Sequence, residues 1–165
     1  MIELEHFEKH LTNLSKEEWN YLFDLLTEIK KTKVFGELIE SKIKDDGSYS
    51  FPYWKSTEIV HKTFETITLL ELAPAFDWMN WENGKEILND YEYDYSELDI
   101  IVLCKLLTCV IRLDRFNDGY LIKSFNNHTI QKILTSLKSK VEEKGIINSE
   151  SVNRKFLMWK QFKNK

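Results

Sequence analysis

The octapeptide R-L-D-R-F-N-D-G, Arg112 to Gly119, holds two of the three arginines in a chain with 23 Lys plus Arg. Three residues apart on a helix, Arg112 and Arg115 point the same way. A guanidinium is a planar fork of donors that a lysine ammonium cannot copy. The pair therefore suits bidentate contact, either with carboxylates of the protein or with an anionic ligand. Asp77, Asp114, Asp118 and Glu37 are the carboxylates to consider as partners. Beside a bound anion, Asp118 or Asp77 would instead act as a general base. Position weighs toward structure. Both arginines fall in the last turn of a helix that Gly119 ends, where cations complement the negative end of the dipole. A phosphate site forms more naturally at a helix N-terminus. The expectation is that the two forks meet carboxylates of this chain.

His6 and His10 have the i, i+4 spacing of helical metal ligands. No third ligand follows them: there is no H-E-x-x-H and no cysteine cluster. Leu4, Phe7 and Leu11 take the inner face of that helix, so the histidines are expected toward solvent and no metal is expected. His61 and His128 stand singly and give no Ser/His/Asp or Cys/His order to argue from. Cys104 and Cys109 share one helix. Five residues rise roughly 7.5 Å and turn roughly 140° past a full circle, a poor geometry for a disulfide. Both read as small buried hydrophobes in a reducing cytosol. An apolar helix raises a thiol pKa, which argues against a cysteine nucleophile. Neither G-x-G-x-x-G nor G-x-x-x-x-G-K-S/T occurs in a chain with five glycines, so no nucleotide cofactor is expected.

The aromatic groups F-P-Y-W, F-D-W-M-N-W and Y-E-Y-D-Y are interleaved with acids. They would suit a cation or a sugar better than nucleic acid. As a core between hairpin and helices they need no ligand, and that reading is preferred.

Aromatics make up 13% of the 165 residues and apolar types 42%, enough for a hydrophobic core and too much for bulk disorder. The net charge of −4 with interspersed signs disfavours binding to nucleic acid. The start M-I-E-L-E-H lacks the basic, apolar pattern of a signal peptide. The apolar run Ile100 to Ile111 is interrupted by Lys105 and too short to span a bilayer. A cytoplasmic protein without a membrane role is expected.

These residues need elements to position them. Leu4, Phe7, Leu11 and Leu14 recur at helical spacing. Ser15 opens S-K-E-E, a capping box that starts a second helix with Trp19, Leu22, Phe23, Leu26 and Ile29 inward. Asp45-Asp46-Gly47 turns between two runs rich in β-branched and aromatic residues, which predicts a hairpin over about 34–44 and 48–54. Pro52 sets that second strand at an edge or ends it. Ser56 and Thr57 precede a third helix with Ile59, Val60, Phe64 and Ile67 inward. Phe76 to Gly84 reads as a short helical turn closed by Gly84. Ser96 caps a central apolar helix over about 97–116. A short piece near 120–126, a helix over about 129–143 ended by Gly145, and a last helix over about 149–163 complete the chain. The pattern is a single domain, 1–165, mainly α (α+β), with one β-hairpin packed on the helices.

Several separated stretches resemble one known family. They are F-G-E-L-I from Phe35, D-D-G followed by F-P-Y-W from Asp45 to Trp54, F-D-W-M-N-W from Phe76, Leu103 to Gly119, and F-N-N-H-T-I-Q-K-I-L from Phe125. The family is an uncharacterised bacterial and phage one of the DUF6508 type, and the resemblance covers about residues 34–140. Its R-x-x-R-F-x-D/E-G pattern stands intact here. The family pattern often has a Gly after F-G-E-W-I, where this chain has Glu40 and Ser41. No activity comes with the resemblance, so it implies no catalytic residue. It implies that Glu37, Asp77, Trp78, Arg112, Arg115 and Asp118 recur as a signature.

The functional expectation is a binding or interaction module for a small ligand or a protein partner. Its site would be a groove between the hairpin, the F-D-W-M turn and the R-F-N-D-G helix end. The alternatives are an enzyme on a phosphorylated or nucleotide-like substrate, with Arg112 and Arg115 as anion clamp, and a structural or partner protein of an immunity or phage-linked kind. The last helix, with its apolar stripe of Val152, Phe156, Trp159 and Phe162, would dock on its own domain or join copies into a homo-oligomer.

Overall fold

The computed structural model describes residues 4–145 and 154–163. Among these, eight α-helices and a two-stranded antiparallel hairpin make a mainly α fold. The chain opens with α1 (Leu4–Asn13) and α2 (Lys16–Lys31). Ser15 Oγ accepts from Glu18 N–H at 3.2 Å, and Glu18 Oε2 accepts from Ser15 N–H at 2.7 Å. The capping box read from S-K-E-E is therefore complete. Trp19, Leu22, Phe23, Leu26 and Ile29 are buried as their spacing requires.

The hairpin pairs β1 (Gly36–Ile39) with β2 (Tyr53–Ser56). Its strands are shorter than expected, and the second lies after Pro52 instead of ending at it. Toward the tip only an Ile43–Tyr49 bridge continues the pairing. Pro52 has no N–H to give a ladder, so regular pairing resumes one residue beyond it. Thr57 then turns the chain into α3 (Glu58–Leu69) without a side-chain cap. Its N–H and its hydroxyl both donate to Phe35 O, at 2.9 and 3.1 Å, and tie the base of the hairpin together.

The next helix, α4 (Glu82–Asn89), starts where the sequence suggested a stop. Gly84 lies inside its first turn, beneath the Trp81 ring, where a Cβ would come within 2.2 Å of Trp81 Cε3. Close packing, and not a left-handed cap, explains that glycine. A 3-10 turn at Tyr95–Glu97 absorbs Ser96, so Asp99 caps α5 (Ile100–Asp114), its Oδ1 accepting from Val102 N–H at 2.9 Å. Helices α6 (Tyr120–Asn126) and α7 (Thr129–Glu143) fall where the pattern put them. Helix α5 packs against α4, α6 and α7, and α2 against α3 and α7. Lys105, the charge inside the apolar run, lies 4.5 and 4.3 Å from the ring centres of Phe76 and Trp81. Cation–π attraction lets this ammonium leave the apolar helix without being stranded.

Helix α8 (Arg154–Lys163) docks on α2. Trp159 meets Tyr21 edge to face at 5.2 Å, and Lys160 Nζ donates to Glu17 Oε1 at 2.6 Å. The expected start near Ser149, and Val152, lie outside the described residues, and Phe162 is exposed.

Candidate functional site

Arg112 occupies the last turn of α5, and Arg115 caps it with helical φ −69° and ψ −23°. Both line a cavity of about 490 Å³ bounded by α1, the second half of α3, the 71–75 segment and α5. Arg112 is half-buried and Arg115 exposed. Among the described residues neither guanidinium has an ion pair within 4.0 Å. This overturns the expectation that the forks meet carboxylates of the chain.

The expected partners are engaged or placed elsewhere. Asp114 Oδ1 accepts from Leu121 N–H at 2.8 Å and starts α6. Asp118 Oδ2 accepts from Trp54 N–H at 3.3 Å and holds the hairpin to the α5–α6 turn. Asp77 Oδ2 accepts from Asn80 Nδ2–H at 2.8 Å within its own turn. Glu37 is exposed on β1, opposite Lys55. Trp78 lies against Phe116, ring centres 6.1 Å apart. Asp118 lines a different cavity, of about 430 Å³, with Trp54, Gly119 and α6. The single groove expected from the sequence is thus divided. Arg112 and Arg115 face one cavity, Asp118 faces another, and Asp77, Trp78 and Glu37 line neither.

The arginine cavity gains residues that the sequence reading set aside. His6 and His10 line it instead of turning only to solvent. His10 Nε2 lies 2.8 Å from Leu70 O. A carbonyl can only accept, so Nε2 carries the proton and Nδ1 of the neutral ring is the acceptor. This bond joins α1 to the C-terminal end of α3. That end is a Schellman stop: Leu72 N–H donates to Ile67 O at 3.0 Å and Glu71 N–H to Thr68 O at 3.1 Å. The left-handed position of this motif usually holds glycine. Here Glu71 takes it, at φ +52°. Beyond it, Thr108 Oγ1–H donates to Pro74 O at 2.9 Å and pins the 72–75 segment to α5.

The walls are apolar: Phe7, Phe64, Ile67 and Ile111 all contribute. Phe64 was expected in the core and is 37% exposed, because its ring stands at the cavity and not behind it. One signal for Glu71 was present in the sequence. L-L-E-L-A-P ends a helix before Pro74 with neither Gly nor Asn, so a left-handed position there would fall to a residue with a larger side chain.

The cysteines behave as buried hydrophobes. Both are free. Burial pushes the Cys104 thiol far above its usual range and that of Cys109 up to about 11. The described residues contain no group of three or more His, Cys, Asp or Glu able to hold a metal ion, and no described helix is long and apolar enough to cross a membrane.

No curated protein and no solved structure matches the chain. A family model does, and its span takes in α2 as well as the stretches from the hairpin to α7. The family is DUF6508, described as a family of unknown function; its model matches residues 14–143, and the chain belongs to it.

Proposed function

We propose that this protein is a small binding module whose site is the arginine cavity, and that its ligand carries an anionic group on an apolar body. The observation that carries the reading is the pair of guanidiniums that line an apolar-walled cavity without an ion pair among the described residues. The volume of about 490 Å³ falls within the roughly 300–1,000 Å³ common for small-molecule sites. The C-terminal end of α5 opposes an anion with about half an elementary charge. Two full positive charges outweigh it even beside the Glu71 carboxylate that also lines the cavity, so the site remains attractive to an acid.

An enzyme acting on a phosphorylated or nucleotide-like substrate ranks second. It has less support because Asp77 and Asp118, the expected bases, do not line this cavity. A partner role, including self-association, would use the side chains of Met158 and Phe162 that α8 leaves exposed. Free, buried Cys104 and Cys109 support a cytoplasmic setting. The net charge of −4 makes nucleic acid a poor partner.

The test is a thermal-shift and calorimetric series with acetate, hexanoate, inorganic phosphate and phenyl phosphate. Tm should rise with hexanoate or phenyl phosphate more than with acetate or phosphate. The double variant Arg112→Ala/Arg115→Ala should lose the response. A flat Tm across all four anions would overturn the proposal.

A further inference from the structure

We infer that the cavity beside Trp54 is a second binding site and that it takes a neutral sugar, with the indole against a C–H face of the sugar ring and the amides of Asn117 and Asn126 on its hydroxyls. The inference is independent of the arginine cavity. It starts from Trp54, whose group F-P-Y-W was expected in the core. Trp54 is instead 38% exposed and lines the cavity of about 430 Å³ between β2 and the start of α6. Among the described residues its ring meets no other aromatic ring, and its Nε1–H has no acceptor. Two contacts fix it nonetheless. Its backbone N–H donates to Asp118 Oδ2 at 3.3 Å. Its pyrrole ring lies on Gly119 so closely that a Cβ there would stand 2.4 Å from Trp54 Cδ1. A large apolar ring that is held in place and left uncovered offers contact area without the cost of ordering it.

The polar groups around the indole narrow the ligand. Asn117 and Asn126 line the cavity, are exposed, and hold no side-chain hydrogen bond among the described residues. Each amide presents an acceptor beside two donors. A hydroxyl both donates and accepts, so neighbouring hydroxyls match such paired sites. Charge narrows the ligand further. Asp118 and Lys123 are the charged side chains of the lining, and their charges cancel. Neither an acid nor a cation gains on balance, in contrast to the arginine cavity. A nucleobase is flat on both faces and stacks best with a ring on each. Here Trp54 is the exposed ring, since Tyr120 is half-buried against the core. A sugar needs one platform for its C–H face and a polar rim for its hydroxyls, and both are present.

Saturation-transfer NMR reads weak binding and shows which protons of the ligand touch the protein. The probes are the methyl glycosides of glucose, galactose, mannose, N-acetylglucosamine and xylose, each at millimolar concentration with the full chain, and adenosine. At least one glycoside should receive saturation, strongest at the C–H protons of one ring face. Trp54→Ala should abolish the signal, and Trp54→Phe, which keeps a ring, should retain part of it. Removing the indole also frees the hairpin, so Asn126→Ala is the second variant. Its exposed amide holds nothing within the described chain, and its urea midpoint should stay that of the parent. The glycoside should nevertheless bind it about three- to ten-fold more weakly, as for a lost hydrogen bond. No saturation of any glycoside overturns the inference. So does a glycoside that binds Asn126→Ala as it binds the parent. Saturation of the base protons of adenosine with no glycoside bound would assign the cavity to a nucleobase and overturn the sugar.

Discussion

Replacing Arg115 by alanine separates a structural arginine from a binding one. Arg115 is exposed at the end of α5 and makes no ion pair among the described residues. Its removal forfeits a favourable interaction with the helix dipole, about 0.3–1 kcal/mol. It also relieves repulsion from Arg112 one turn away, about 0.2–0.5 kcal/mol. The difference runs from a gain of about 0.2 to a loss of about 0.8 kcal/mol, close to the range of an ordinary surface change. An arginine paired in the interior would behave otherwise, because its loss strands a carboxylate and costs about 3–5 kcal/mol. Urea unfolding followed by Trp fluorescence distinguishes the two. With an m-value of about 2 kcal/mol/M, the midpoint should move by no more than about 0.4 M, against about 1.5–2.5 M for a broken buried pair. The same variant should lose most of its thermal response to anionic ligands. A midpoint shift above about 1.5 M would refute the argument and make R-F-N-D-G a fold element first.

Three further outcomes are expected. Gly119→Ala should cost about 1–3 kcal/mol more than Gly47→Ala, since both glycines have left-handed φ (+83° and +78°) but only at 119 does a Cβ fall 2.4 Å from the Trp54 ring; equal urea midpoints would contradict the docking of the hairpin on the α5–α6 turn. Glu71→Gly relieves a left-handed backbone penalty of about 1–2 kcal/mol but adds chain entropy and removes the contact that the side chain makes, so the urea midpoint should move by less than about 0.5 M; a larger fall would show that the side chain holds its turn. Stability should fall at alkaline pH. Burial raises Cys109 from 9.0 to about 11 and Tyr95 from 10.0 to about 12, so the unfolded chain releases these protons first. Their contribution is full below pH 9 and is lost as pH climbs toward 11–12. Urea midpoints at pH 8 and 10.5 check it, and Cys109→Ala with Tyr95→Phe should flatten the slope.

Much of the fold was legible because its causes are local. The capping box at Ser15 and Glu18 closes over three residues, and the apolar spacing of α7 is met by burial of Ile130, Ile133, Leu134, Leu137 and Val141. The turn at Asp45 to Gly47 reverses the chain, with Gly47 N–H donating to Lys44 O at 2.9 Å. Boundaries were less legible where two local signals compete. Ser96 and Asp99 can each cap α5, and Asp99 prevails because a 3-10 turn takes up Ser96.

The site was not legible in the same way. Asp118 and Arg115 belong to one short motif, yet they face different cavities, because the chain leaves its helical path between them and Gly119 turns left-handed against Trp54. Asp118 finds its partner 64 residues away in β2, and His10 finds its own 60 residues away at Leu70. His6 and His10 precede the family-matched span, while Glu71, Arg112 and Arg115 lie within it. Helical periodicity states which face of α1 is apolar. It does not state that the edge of that face closes over the end of α5. The sequence by itself determined the helices, the hairpin and the two arginine forks, through interactions that reach no further than a turn. Only the tertiary structure decided what the forks face, since a cavity belongs to the contact between elements and to none of them alone.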